Sequence, residues 1–338
     1  MNRITTVTGE VRPEELAMVL SHEHLFIDLR HQAPADASKR PLTAADRPAL
    51  MCDPYMLLDN LVLDDFTAAE AECRMLAEQG CDTVVDCSTV EIGRDPAKLR
   101  ELSLRTGTKI VMGCGNYTGD THGEAFRTGD EGRLAERLME EIDNGIGGVR
   151  PGIIGEIGTS REILDTELKA LRIAARAQRH SGLAIQVHVY PWSTNGLAAL
   201  EVLEAGGVPP ERIVICHSDV TPDRRYIRDL LNAGVYVQLD NFGKEFTPRA
   251  GGFAAGAFAK DSERAELAAW IIDSGFGNRL LLTNDVCLKC MLFSWGGAGY
   301  RHIFADIVPM IASLGVPEDY LRGRILHDNP VEMLGRRP

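Results

Sequence analysis

Short apolar runs alternate with longer amphipathic ones along most of the chain. Those at 18–23, 83–88, 108–114, 152–157, 183–188, 212–217, 235–240 and 279–284 have strand length and are rich in Val, Ile and Leu. Such near-continuous apolar character suits parallel strands covered on both faces. Between them the apolar spacing changes to a helical period at 66–80, 95–106, 130–143, 165–181, 195–206, 222–233 and 259–275, and helices at 300–314 and 317–328 close the chain. Leu168, Leu171, Ile173, Ala174 and Ala177 show that period most clearly. Eight strands alternating with helices predict a parallel sheet, and eight is the number that closes into a (β/α)8 TIM barrel. A short hairpin is expected at about 3–11, and residues 1–338 are expected to form one barrel domain, a common size for this architecture.

Composition narrows the class without dividing the chain. Apolar residues make up 44% and charged residues 25%, as in a globular enzyme with ample core. The net charge of -13 argues against nucleic acid or an anionic membrane as a partner, because phosphate binding needs a basic face. A small-molecule substrate is expected, and an anionic one is compatible because a few cations in a pocket override the global sign. Homodimerisation stays open. No run approaches the roughly 20 apolar residues of a membrane span. The opening residues lack an apolar signal core, so secretion is not expected. The eight cysteines have no disulfide-like spacing, and Cys287-Leu-Lys-Cys290 is a lone C-x-x-C, which points to packing in a reducing cytoplasm. The long connections at 29–60 and 241–258 are expected to carry substrate recognition or to act as lids.

The chemistry begins at His22 and His24, in the run Met18-Val-Leu-Ser-His-Glu-His24. Alternation along a strand sends both imidazoles to one side, which makes a chelate. Glu156, His188, His217 and Asp285 each end another strand-like run, and the carboxyl-terminal ends of barrel strands are where such folds place their active sites. A carboxylate inside Ile153-Ile-Gly-Glu-Ile157 is costly to bury unless a cation or a metal meets it. Four imidazoles and two carboxylates suffice for a site holding two divalent metal ions. Zinc is the first expectation, with manganese, cobalt and iron also compatible with these ligands. Glu91, in Val90-Glu-Ile-Gly93, is a rival ligand that lies beyond its strand end. Asp219 is a candidate outer acceptor that would fix the tautomer of a ligand histidine. Tyr117, Trp192, Lys244, Arg249 and Lys289 are candidate substrate contacts, the three cations for an anionic group and the two rings as walls.

The ordered set Ser21-His-Glu-His-Leu25, Asp86-Cys-Ser-Thr-Val-Glu-Ile-Gly-Arg-Asp95, Gly155-Glu-Ile-Gly158, Cys216-His-Ser-Asp219, Thr283-Asn-Asp285, Gly296-Gly-Ala-Gly-Tyr300 and Asp328-Asn-Pro330 resembles the phosphotriesterase family of the amidohydrolase superfamily over nearly the whole length. The resemblance implies that His22, His24 and Asp285 hold one metal and His188 and His217 the other, with a carboxylate between them. Well-known phosphotriesterases and lactonases place a carboxylated lysine at that bridge, where this chain has Glu156. They also carry a proton relay at positions that here look like Asn241 and Val220, so efficient organophosphate hydrolysis is not expected. The stretches around Asp285–Lys289 and Gly296–Tyr300 are closer to the phosphotriesterase-related branch.

The function expected is metal-assisted hydrolysis of a lactone or carboxylic ester, with Asp285 orienting the attacking water and moving its proton. An N-acyl amide is the nearest rival substrate, and slow, promiscuous triesterase activity is a further one. A barrel that keeps metals for stability while binding a ligand is the non-enzymatic alternative.

Overall fold

Strands lie, in chain order, at Ile4–Thr6 (β1), Gly9–Val11 (β2), Met18–Glu23 (β3), Ile27–Asp28 (β4), Val62–Leu63 (β5), Cys81–Asp86 (β6), Lys109–Met112 (β7), Ile154–Thr159 (β8), Ile185–Val189 (β9), Ile213–Ile215 (β10), Tyr236–Leu239 (β11) and Leu280–Leu282 (β12). They come from a computed structural model, which describes residues 3–220, 222–248 and 256–335. Eight of these strands pair in parallel, as β3-β6-β7 and as β8-β9-β10-β11-β12. A backbone bridge between Cys114 and Gly155 joins the two sets on one side. On the other, Thr283 Oγ1 lies 3.0 Å from the His22 carbonyl. The result is a (β/α)8 barrel.

Its interior is layered. Val19, Val85, Val111, Ile153, Ala184, Val214, Tyr236 and Leu281, one from each strand or the residue just before it, form a buried cluster with Ile4, Leu16 and Met333. Burying each Val or Leu contributes about 1.5–3 kcal/mol, so this layer holds the end of the barrel where the strands begin. Two residues further along their strands stand Ser21, Cys87, Gln186, Cys216, Gln238 and Thr283. Several are linked across the barrel. Ser21 Oγ donates to Gln238 Oε1 at 3.0 Å, Gln186 Nε2 to the Ser21 carbonyl at 2.6 Å, and Cys87 Sγ to Gln186 Oε1 at 3.0 Å. The period of two thus places a satisfied polar floor above the apolar plug and beneath the strand ends.

The outer helices follow their caps. Asp65, Asp95, Asp130 and Asp223 accept N–H groups at the starts of Phe66–Glu78, Pro96–Thr106, Glu131–Asn144 and Arg224–Ala233. Asp165–Ser181 buries Ala170, Leu171, Ile173, Ala174 and Ala177 and stops at Gly182, whose left-handed φ of 70° lets its N–H reach the Gln178 carbonyl. Several short elements escape the sequence pattern. β4 and β5 pair antiparallel at the two ends of the 29–60 connection; two residues each are too few for a period to show. Glu124–Thr128 and Asn329–Leu334 are short helices in segments read as connection or as chain end.

Candidate metal centre

Glu23, the last residue of β3 and between His22 and His24, organises the site from behind. It accepts from Thr283 Oγ1 at 2.7 Å, from Asn284 N at 2.9 Å and from Val286 N at 2.7 Å. These bonds bracket Asp285 and fix it at a φ of 50°. Burial pushes the Glu23 carboxyl up to about 7 even with these donors. His217 is also left-handed, at 58°, with its N–H 3.0 Å from each Asp240 oxygen. Such backbone costs on the order of 1–3 kcal/mol per residue and persists only where neighbours impose it. Here it aims two side chains at one point.

Two trios converge there. His22, His24 and Asp285 form one and Glu156, His188 and His217 the other, each with ligand atoms within 4.8 Å of one another. Glu156 serves both: Oε1 lies 3.4 Å from His24 Nε2, while Oε2 lies 3.5 Å from His22 Nε2, 3.0 Å from His188 Nδ1 and 3.5 Å from His217 Nε2. Burial alone would raise the Glu156 carboxyl, but His188 and His22 hold it well below the usual carboxylate range.

The donor set fits metal ions. Ser88 Oγ donates to the Phe26 carbonyl at 2.9 Å, so its contact with His24 Nδ1 at 3.0 Å places a proton on that nitrogen and leaves Nε2 as the atom that faces Glu156 and Asp285. Asp240 Oδ1, 2.9 Å from His217 Nδ1, does the same for His217. His22 Nε2 is buried and has no hydrogen-bond partner. A third trio, His22, Cys216 and Asp240, also converges, but the Gln238 amide nitrogen already lies among them, 3.0 Å from both His22 Nδ1 and Asp240 Oδ2.

A cavity of about 540 Å³ opens over the cluster, with Tyr117, Trp192, Lys244, Phe246 and Phe258 in its walls. Tyr117 Oη is 3.4 Å from His188 Nδ1. Lys244 is buried with Nζ paired to Asp285 Oδ2. Burial opposes its charge, yet Asp285 holds the ammonium above the usual lysine range, and Lys244 in turn keeps Asp285 below the carboxylate range.

Three residues singled out in the sequence lie elsewhere. Lys289 pairs with Asp59 at 2.5 Å and sits over the Trp295 ring, outside the cavity wall, because its side chain turns back toward the 29–60 connection. Asp219 does not reach His217. It accepts from Asn241 N at 3.0 Å and from Asn241 Nδ2 at 2.9 Å, and pairs with Arg264 Nε at 3.1 Å. Glu91 accepts from Asn116 Nδ2 at 2.5 Å and belongs to neither trio. Arg249 lies outside the described residues. Asp240, which the sequence reading passed over, is the acceptor on His217, and its signal was present: it follows the run Tyr236–Leu239.

Arg264, fully buried, extends this network outward. Besides Asp219 it reaches Asp261 Oδ1 at 3.0 Å and the Lys244 carbonyl at 3.2 Å. Asp261 in turn meets His302 Nε2 at 2.7 Å.

A barrel that gathers four imidazoles and two carboxylates at its strand ends defines the class, a metal-dependent hydrolase. The sequence matches the phosphotriesterase family over residues 2–334, and the chain belongs to that family. It is 31% identical over 342 residues to the N-acetyltaurine hydrolase of Tetraodon nigroviridis, covering 98% of this chain and 97% of that protein. Among solved structures, a resiniferatoxin-binding protein from Rhodobacter sphaeroides superposes with a TM-score of 0.93 at 31% identity, covering 98% of this chain and 94% of that one. The phosphotriesterase homology protein of Escherichia coli, complexed with phosphate in its active site, gives a TM-score of 0.80 at 26% identity, covering 96% and 100%.

Proposed function

We propose that the protein hydrolyses an N-acyl amide whose amine half carries an anionic group. The observation that carries this reading is the buried Lys244–Asp285 pair in the cavity wall, beside the two trios. Breaking an amide requires a proton on the departing nitrogen, whereas an ester or lactone needs less help. Asp285, held ionised and oriented by Lys244, takes the proton of the attacking water. The same carboxyl then delivers that proton to the nitrogen as the C–N bond breaks, the new C–O bond having formed from the attacking water. The name of the Tetraodon relative supports the same substrate class, so the amide is put ahead of the ester or lactone, which stood first in the sequence reading and stays compatible with the site.

His22, His24 and Asp285 would hold one divalent ion and His188 and His217 the second, with Glu156 between them. Bound there, the ions supply Lewis acidity, which acidifies water and polarises the scissile carbonyl. Zinc suits a set dominated by imidazole, ahead of manganese, cobalt and iron. Ser88 and Asp240 keep His24 and His217 in the ligating tautomer. Tyr117 and Trp192 wall the acyl half. The same reading takes residues 1–338 as one catalytic unit in a reducing cytoplasm, consistent with eight free cysteines. Among the described residues no helix is long and apolar enough to cross a membrane.

A lactone or ester is the second reading, favoured by the apolar walls at Ile27, Leu29, Phe246 and Leu288. Assaying metal-loaded enzyme on N-acetyltaurine, N-acetyl amino acids, γ- and δ-lactones and simple esters separates the two. The anionic amides should be cleaved with the highest kcat/KM. Rapid lactone cleavage with every N-acyl amide inert would overturn the proposal.

A further inference from the structure

The chain passes from β8, which carries Glu156, to the helix Asp165–Ser181 through Ser160 and Arg161, and both residues line the cavity. Their backbone is pinned. Asn195 Nδ2 donates to the Ser160 carbonyl at 2.9 Å and to the Arg161 carbonyl at 3.0 Å. Glu167, fully buried, accepts from Ser160 N at 3.0 Å, Ser160 Oγ at 2.6 Å and Leu164 N at 2.9 Å. It also accepts from Gly119 N at 2.8 Å, so the turn after Tyr117 is tied to the same anchor. The Arg161 guanidinium, by contrast, is exposed and makes no ion pair or hydrogen bond among the described residues.

Among the described residues, no carboxylate of the cavity wall pairs with this group. The cavity's other lysine or arginine among the described residues is Lys244, which is committed to Asp285. Of the carboxylates, Glu156 and Asp285 face the histidines, and Asp120 accepts from Thr118 Oγ1 at 2.6 Å. A net charge of -13 makes the surroundings repel an anionic ligand, so recognition needs a local cation. A planar fork of N–H donors on a fixed backbone matches two oxygens of a carboxylate or sulfonate.

We propose that Arg161 reads the oxyanion on the amine half of the substrate and so sets KM. The sequence reading gave that role to Lys244, Arg249 and Lys289. The inference rests on the N-acyl amide reading above and adds the residue that makes it selective.

The test compares metal-loaded wild type, Arg161→Gln and Arg161→Lys on an N-acetyl aminosulfonate, an N-acetyl amino acid and the neutral N-acetylethanolamine. Arg161→Gln should raise KM for both anionic compounds about 5- to 30-fold, the range for a partly solvated charge-assisted pair. kcat should stay within about twofold, values for the neutral compound should not move, and Arg161→Lys should recover part of the loss. Added salt screens the Arg161 attraction only where Arg161 is present, so it should narrow the KM gap between wild type and Arg161→Gln for the anionic compounds. A larger rise for the sulfonate or for the carboxylate identifies the preferred oxyanion. Cleavage of the anionic amides with KM unchanged in Arg161→Gln, or changed equally for the neutral compound, refutes this inference alone. A wild type that cleaves none of the amides removes the amide reading, and this inference with it.

Discussion

Replacing Asp240 by Asn perturbs the second metal trio without touching a ligand. Asp240 is fully buried and meets four donors: His217 N, His217 Nδ1 at 2.9 Å, Gln238 Nε2 at 3.0 Å and Asn241 Nδ2 at 2.7 Å. Asparagine keeps the shape but loses the charge, and its amide nitrogen must face one of these donors. The proton on His217 Nδ1 is then held less firmly, and His217 Nε2 becomes a weaker and less well aimed ligand. Outer acceptors of this kind are worth about 10- to 100-fold in metal affinity, or about 1.4–2.7 kcal/mol. Titrating chelator-stripped protein with zinc against a chromophoric competitor should show the weaker site loosened by that factor. The stronger site, which we assign to His22, His24 and Asp285, should change by less, with any residual effect passing through Glu156. Turnover should fall at limiting zinc and recover in excess zinc. Two sites of unchanged affinity in a folded Asp240→Asn protein would show that Asp240 does not position His217.

Asp285→Asn should lower kcat by orders of magnitude while most metal and the fold survive, as read by metal content and circular dichroism; near wild-type turnover in the loaded variant contradicts the proton-transfer role. Arg264→Met leaves Asp219 buried without its cation and Asp261 with His302 alone, and should cost about 3–5 kcal/mol in urea unfolding of the metal-free protein; a loss under 1 kcal/mol, on the order of a surface change, would refute that account. Burial opposes charge on His302, but Asp261 and Asp306 outweigh it and raise its pKa. Its contribution to stability is therefore complete below the unfolded value of about 6.5 and is lost as pH rises through the elevated folded value. The stability gap between wild type and His302→Gln should accordingly narrow as pH rises above about 6.5, and a widening gap would have the sign wrong. Paraoxon should be a slow substrate beside the preferred amide: Val220 is buried, and Asn241 is occupied by Asp219 and Asp240, so neither supplies a relay.

The barrel was legible because its strands are buried on both faces, which leaves apolar runs of the right length between amphipathic helices. The six residues of the two trios were legible because each stands at the end of such a run, where the fold converges them. What the sequence hid depends on side-chain direction. Asp219 and Asp240 are both near a ligand histidine in sequence or in the barrel, but the left-handed turn at His217 hands its Nδ1 to Asp240 and leaves Asp219 to Arg264. Lys289 follows the last strand as closely as a pocket residue would, yet Asp59, from a connection more than two hundred residues earlier, takes its charge. Arg161 drew no notice because no motif contains it. Its position follows from how Asn195 and Glu167 hold the backbone around it, which spacing does not record.

Anomalous diffraction from crystals of the enzyme grown with zinc tests the central claim most directly. The account predicts two peaks per chain, one beside His22, His24 and Asp285, the other beside His188 and His217, with Glu156 between them. A single peak, or peaks that Glu156 does not touch, would contradict it.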